Sequence, residues 1–151
     1  AGNVLSGHKA EADEVFEPKC NQLTLIAEGE NAADFMGWIM PRFNTFSANC
    51  SVMGKWMALF GKKHYKYDAR LLGGRRAIIT SGEYDKVFPM DIYAGYLVKA
   101  IITGDIDRQE ALGIYEVAPE DFAIAEFVDS SKLELQRIVR EGLDILRREN
   151  A

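Results

Sequence analysis

The sequence has few of the side chains that carry most enzyme chemistry. Its 151 residues include two cysteines, Cys20 and Cys50, and two histidines, His8 and His64. Neither cysteine belongs to a C-x-x-C pair and the histidines lie far apart, so the sequence predicts no metal site. Two unpatterned cysteines are typical of ordinary, partly buried thiols in a reducing, cytoplasmic compartment.

Several common motifs are also absent. The sequence contains no G-x-G-x-x-G, no P-loop and no H-E-x-x-H pattern, which are the usual signatures of dinucleotide, nucleoside triphosphate and zinc-protease sites. No apolar run approaches the roughly 18 residues that a transmembrane helix needs, and no signal-peptide pattern is present. Because the first residue is alanine rather than methionine, we expect the chain to be a fragment of a longer protein.

Two pairs of carboxylates could act as acid and base. These are Glu83 with Asp85 and Glu120 with Asp121. General acid–base catalysis also needs a positioned substrate group or a nucleophile, and the sequence indicates none near them. Turn and helix-end electrostatics explain both pairs better, so the sequence predicts no catalytic residue.

The charge of the chain is moderate and unevenly distributed. A net charge of −5 argues against nucleic acid as the main partner. Residues 55–76 hold seven basic residues against one acid, whereas residues 105–134 hold nine acids against two basic residues. This segregation is explained either by two solvated faces or by two different docking surfaces.

The hydrophobic pattern changes near residue 30. Residues 3–5 and 23–27 have the composition of strands, and Gly29 marks a break after them. Helical patterns dominate the rest of the chain. We therefore predict an α+β fold, in which residues 1–29 form a small β unit and residues 30–151 form a mainly helical domain.

The first half of this helical domain contains two predicted elements. Residues 52–60 have apolar side chains at helical spacing. Residues 65–72 and 77–80 flank the pair Gly73-Gly74, a turn signal, and predict a short hairpin.

Helix boundary signals are clear in the second half. Asp91 is positioned to cap a helix that ends at Gly104. The sequence pattern of residues 107–112 predicts a short helix that ends at Gly113. Pro119 suits the first position of the next helix.

The last helix has an apparent start signal and a long apolar stripe. Ser131 and Glu134 have the spacing of a capping box. Apolar or small residues then recur at helical spacing, and we expect this stripe to be buried: Leu135, Ile138, Val139, Gly142, Ile145 and Leu146.

An aromatic and basic run is the strongest candidate for a docking surface. It could lie against a membrane surface or a membrane-embedded partner, although helical spacing equally fits core positions for its aromatic side chains. The candidate docking residues are Lys55, Trp56, Phe60, Lys62, Lys63 and Lys66.

An ordered series of short segments resembles a known family across essentially the whole chain. The series comprises Val4-Leu5-Ser6-Gly7, Gly37-Trp38-Ile39-Met40-Pro41, Gly82-Glu83-Tyr84, Gly104-Asp105, Ala111-Leu112-Gly113 and Phe127-Val128. It is similar to the C-terminal part of the A-type subunit of the Na⁺-translocating NADH:quinone oxidoreductases, the bacterial respiratory sodium pumps. The turn at Gly73 departs from this pattern.

The resemblance implies a role in a respiratory complex. Residues 1–29 would be the last strands of a β-grasp (soluble-ligand-binding) domain, and residues 30–151 a C-terminal helical domain. The protein would be peripheral, on the cytoplasmic side of the bacterial inner membrane, and would dock on the membrane subunits. The whole complex uses NADH, flavins, iron–sulfur centres and ubiquinone to drive sodium transport. The fragment would hold no cofactor or metal and would be non-catalytic alone.

A more distant resemblance concerns the last helix. The NADH-binding subunit of respiratory complex I carries C-x-x-C-x-x-C-R-E-G around a [4Fe–4S] cluster, and Arg140-Glu141-Gly142 matches the end of that motif. The three cysteine positions would fall on Leu133, Gln136 and Val139, none of which is a thiolate ligand. The resemblance implies a helical scaffold that has lost its cluster. Chance occurrence of three residues on an ordinary helix is the alternative.

Three functions remain open. The first, which we favour, is a structural and docking module of the respiratory complex. The second is a quinone-binding module, which would need an apolar pocket, for example near Trp38 and Phe46. The third is a binder of anionic lipid or nucleic acid through residues 55–76, whose binding would depend strongly on salt.

Overall fold

The computed structural model of the chain describes residues 1–16, 18–29, 60–61, 67–69, 74–79 and 82–150. Regular structure in these ranges is helical. The described ranges contain four α-helices: α1 (Ala94–Thr103), α2 (Ile106–Ala111), α3 (Ala123–Val128) and α4 (Leu135–Glu149). Three 3-10 helices cover Tyr84–Lys86, Ile114–Glu116 and Pro119–Phe122.

Helix α1 is the central apolar element. Its buried side chains are Ala94, Leu97, Val98, Ala100 and Ile101. The helix ends at Gly104, where a φ of 70° lets the amide of Asp105 donate to the Ala100 carbonyl at 3.0 Å, a glycine-dependent C-terminal cap. The predicted cap at Asp91 is wrong, because Tyr93 occupies the N-cap position without a side-chain hydrogen bond.

Two further boundaries follow from local chemistry. Asp105 is the N-cap of α2 and accepts a hydrogen bond from the Arg108 amide at 3.2 Å. Gly113 follows α2 with a φ of 84°, as predicted. Pro119 starts the 3-10 helix that continues into α3, and the Asp121 carboxylate accepts from the Ala118 amide at 2.8 Å, which satisfies one otherwise unpaired N–H group.

Helix α4 buries most of its predicted stripe, whereas Ile138 is only partly buried. Leu135, Val139, Gly142 and Leu146 are buried, as the spacing predicts. Ile145 is 46% exposed, so its predicted burial is wrong: it lies at the edge of the stripe, where Leu146 takes the core position.

The core lies between α1, α4 and the 3-10 helices. Phe122 is fully buried, and its ring centroid lies 4.7 Å from that of Phe88. Core contacts of this kind dominate folding stability. The buried cluster comprises Tyr84, Ala94, Leu97, Val98, Ile101, Ile114, Val117, Phe122, Ala125, Leu135, Val139 and Leu146.

The N-terminal residues up to Gly29 form turns and single contacts rather than a strand ladder within the described ranges. The Gly2 amide donates to the Gln22 carbonyl at 2.8 Å, and one parallel bridge joins Ala27 to Asp68. The β-grasp assignment and the domain boundary near residue 30 stay predictions. The helix at 52–60 and the hairpin around Gly73 lie largely outside the described residues.

Candidate docking site at the α3–α4 corner

A buried carboxylate organises the turn between α3 and α4. Asp129 is 1% exposed. Its Oδ1 accepts from the Ser131 amide at 3.0 Å, and its Oδ2 accepts from the Leu133 amide at 2.8 Å. Hydrogen bonds to a charged acceptor are stronger than neutral ones, so both carboxylate oxygens hold the chain in its sharp reversal.

This carboxylate replaces the predicted capping box. Glu134 is the N-cap of α4 and makes no side-chain cap, so the Ser131–Glu134 prediction is wrong. The Ser131 hydroxyl instead donates to the Ala77 carbonyl at 3.3 Å, and the Glu134 carboxylate pairs with Arg75 and Arg137. Both side chains therefore bond other partners and do not cap the helix.

The corner also fixes two segments that are remote in sequence. Ser130 donates to Glu83 Oε2 from its hydroxyl at 2.9 Å and from its amide at 3.3 Å. The Arg76 amide donates to the Ser131 carbonyl at 2.9 Å. The 3-10 helix Tyr84–Lys86 and the extended segment at 74–79 are thereby held beside the turn.

The three positions compared with cluster ligands have structural roles here. The Gln136 side-chain amide donates to the Leu5 carbonyl at 2.8 Å, and its backbone amide donates to Glu126 Oε2 at 2.9 Å. Val139 is fully buried, and Leu133 packs against the core. Within the described ranges, no three His, Cys, Asp or Glu side chains gather so that they could hold a metal ion.

Tyr84 lies between the corner and the surface. Its side chain is 6% exposed, and its hydroxyl has no hydrogen-bond partner among the described residues. Burial, followed by the negative charge of Asp129, raises the pKa of this phenol well above its ordinary value. The protonated, neutral form is therefore the one that fits this site.

A shallow groove opens above Tyr84. Its cavity volume of about 30 Å³ compares with roughly 300–1,000 Å³ for small-molecule pockets, so it suits a single protruding side chain better than a cofactor. The groove is lined by Ile79, Gly82, Glu83, Tyr84, Asp85, Tyr93, Gly95 and Tyr96.

Comparison with known proteins finds homologues of the chain. No family profile matches the chain. It is 36% identical over 150 residues to the A-type subunit of the Na⁺-translocating NADH-quinone reductase of Haemophilus influenzae, covering 99% of this chain and 32% of that protein. The corresponding proteins of Actinobacillus succinogenes and Rhodopirellula baltica are each 35% identical over 99% of the chain, which covers 33% and 32% of them. Over 99% of its length the chain is therefore homologous to a part of these reductase subunits.

This homology confirms the resemblance seen in the sequence. The chain spans about a third of the length of the curated relatives it matches. No helix in the described part of the chain has the length and apolar character needed to cross a bilayer.

The predicted docking residues are not brought together by the described structure. Phe60 is 79% exposed. The other candidate docking residues lie outside the described residues: Lys55, Trp56, Lys62, Lys63 and Lys66. The same is true of Cys50 and His64, and of Trp38 and Phe46, which the quinone alternative invoked.

The remaining sequence candidates have ordinary roles. His8 Nε2 lies 3.0 Å from Glu14 Oε1 in an exposed pair, and the Cys20 thiol donates to the Gln22 carbonyl at 3.2 Å. Asp121 bonds the backbone at its helix start, while Glu120 lies 3.8 Å from Arg140.

Sequence reasoning missed Asp129 and Ser130 at the corner and the two tyrosines, Tyr93 and Tyr96, at its groove. The role of Asp129 could have been recognised from the sequence. In turns, an aspartate side chain often accepts a hydrogen bond from the backbone amide two residues later, which here is the amide of Ser131. Tyr93 and Tyr96 are three residues apart, a spacing that brings side chains together on a helix surface, and this spacing could have signalled an aromatic pair.

Proposed function

We infer that this chain is a docking part of a sodium-translocating NADH:quinone reductase, without a redox centre of its own. In this proposal it sits peripherally on the cytoplasmic face of the bacterial inner membrane and contacts the other subunits of the complex. The names of its relatives support membership of such a complex.

The observation that carries the docking role is the α3–α4 corner. The positions that would hold thiolates in an iron–sulfur site are used for packing by Leu133 and Val139 and for a cross-chain hydrogen bond by Gln136. A corner built from Asp129, Ser130 and Glu83 hydrogen bonds rigidly positions surface side chains. Rigid presentation lowers the entropic cost of association.

The test is co-purification of the protein, in its natural length, with separately tagged membrane subunits of the reductase. We expect recovery in a fixed ratio with the complex. We also expect the protein purified by itself to show no flavin or iron–sulfur absorption and no stoichiometric iron. Failure to co-purify contradicts the docking role, and a bound flavin or cluster contradicts the absence of a redox centre.

A further inference from the structure

Three large apolar side chains are exposed around the groove above Tyr84. Tyr93 is 70% exposed, Tyr96 is 55% exposed and Ile79 is 66% exposed. All three line the same groove. Scattered exposed apolar residues are normal, but a contiguous group beside polar side chains is typical of an interaction site.

The two tyrosines form a fixed pair. Their ring centroids are 6.1 Å apart and their planes are inclined by 87°, an edge-to-face arrangement that aromatic pairs favour. Tyr93 lies at the N-cap of α1 and Tyr96 lies within its first turn, so the helix sets the position of both. An approaching group therefore meets two pre-oriented rings whose negative π-faces attract cations.

Carboxylates supply the polar side of the groove. Glu83 is held by two hydrogen bonds from Ser130, and Asp85 is exposed on the adjoining 3-10 helix. Among the described residues that line the groove none is basic. Lys86 and Lys99 lie beyond its lining in the same elements. The described lining thus combines aromatic rings with the carboxylates of Glu83 and Asp85.

We propose that this groove binds an arginine side chain presented by another protein subunit. The proposal deepens the docking role and rests on it. A guanidinium group is planar, stacks on aromatic rings and donates several hydrogen bonds to carboxylates, which matches tyrosine rings beside Glu83 and Asp85. The small cavity accepts one such head group. Tyrosine and arginine are also the residues that most often dominate protein interfaces.

Photo-crosslinking in the assembled reductase tests this proposal. In one variant of the protein, a benzophenone amino acid replaces Ile79 at the groove. In a control variant it replaces Tyr115, a similarly exposed residue on the 3-10 helix Ile114–Glu116. After illumination, mass spectrometry identifies the crosslinked peptides. We expect position 79 to crosslink to a segment of another subunit that contains arginine. Asp85→Lys and Tyr96→Ala should each reduce that crosslink roughly tenfold, whereas Tyr115→Ala should not.

Charge reversal on the partner completes the test. Exchanging the arginine of the crosslinked segment for glutamate should restore the yield in the Asp85→Lys variant. A crosslink to lipid, to nucleic acid, to a second copy of this chain or to a segment without arginine overturns the proposal. So does an intact complex without any crosslink at position 79, while the docking role then stands. A protein that never co-purifies with the complex overturns both.

Discussion

Gly142 of α4 lies directly against Ile101 of α1. A β-carbon at position 142 would stand 2.8 Å from Ile101 Cγ2 and 3.3 Å from its Cγ1. Real β-carbons do not come this close to a neighbouring carbon, so only glycine permits the two helices to pack at this separation. The glycine is thus a packing requirement inside a helix that would otherwise favour alanine.

Gly142→Ala should therefore destabilise the fold. The overpacked contact costs about 1–3 kcal/mol, which exceeds the roughly 1 kcal/mol of helix propensity that alanine gains. Chemical denaturation measures the change in the free energy of unfolding. Gly95→Ala in α1 is the matched control: its new β-carbon would lie 3.7 Å from Tyr84 Cδ2, an ordinary contact, so this variant should be slightly more stable. Equal stability of Gly142→Ala and the original chain would refute the packing argument.

Asp129→Ala should cost about 3 kcal/mol or more of unfolding free energy. The change leaves the amides of Ser131 and Leu133 without their charged acceptor in a buried turn. Asp144→Ala is the control, because Asp144 makes an exposed pair with Arg147 at 3.2 Å and such pairs contribute below about 1 kcal/mol. If both variants melt alike, the corner does not depend on the buried carboxylate.

Lys132 has a φ of 57°, a left-handed conformation that costs a side-chain-bearing residue about 1–2 kcal/mol. Lys132→Gly should be neutral or mildly stabilising, because relief of this strain offsets the greater backbone entropy of glycine in the unfolded chain. Lys132→Val should destabilise, since β-branched residues tolerate this conformation poorly. In thermal melting, the melting temperature of Lys132→Gly should be equal to or slightly above that of the original chain, and that of Lys132→Val should be clearly lower.

The stability of the chain should fall at alkaline pH because of Tyr84. Its folded pKa is raised above an unfolded value of about 10, so above that pH the unfolded state loses the proton first. The stabilising contribution is complete below about pH 10 and declines as pH rises, with a slope of at most about 1.4 kcal/mol per unit.

Tyr84→Phe should weaken this alkaline decline, to which Tyr115 also contributes because its hydrogen bond to Glu110 raises its pKa. Stability at neutral pH should be unchanged or higher, because a buried hydroxyl without a partner is lost. Tyr93→Phe, on an exposed side chain, is the control and should keep the decline. Urea titrations at pH 7 and pH 11 distinguish the variants. Parallel behaviour of all three proteins would show that Tyr84 is not the responsible group.

The elements that sequence predicted well depend on local chemistry. Gly104, Gly113 and Pro119 mark helix boundaries through backbone preferences that act within one turn, and each stands where the pattern indicated. The Ser131–Glu134 capping box failed because Ala77 and Arg75 compete for these side chains, and both lie more than fifty positions earlier in the chain.

The candidate site was much harder to predict. Whether Tyr96 is exposed depends on how α1 is rotated against α4, which the pattern of one helix only partly determines. The burial of Asp129 depends on the arrival of Tyr84 and Glu83 from a distant segment. The sequence indicated a docking role at Lys55 and its neighbours. Glu83 and Asp85 were noted only as a pair of carboxylates, and nothing in the pattern joined them to Tyr93 and Tyr96 in one groove.

The hydrogen bond from Gln136 to the Leu5 carbonyl joins residues 131 positions apart. Contacts between successive helices close short loops and form quickly, whereas closing so long a loop carries a larger entropic cost and slows its contact. The helical part can therefore form before the first residues reach it. In a refolding experiment followed by pulsed hydrogen exchange, amides of α1 and α4 should gain protection before the Gly2 amide does, and the corner would serve as the template on which the N-terminal segment is added last.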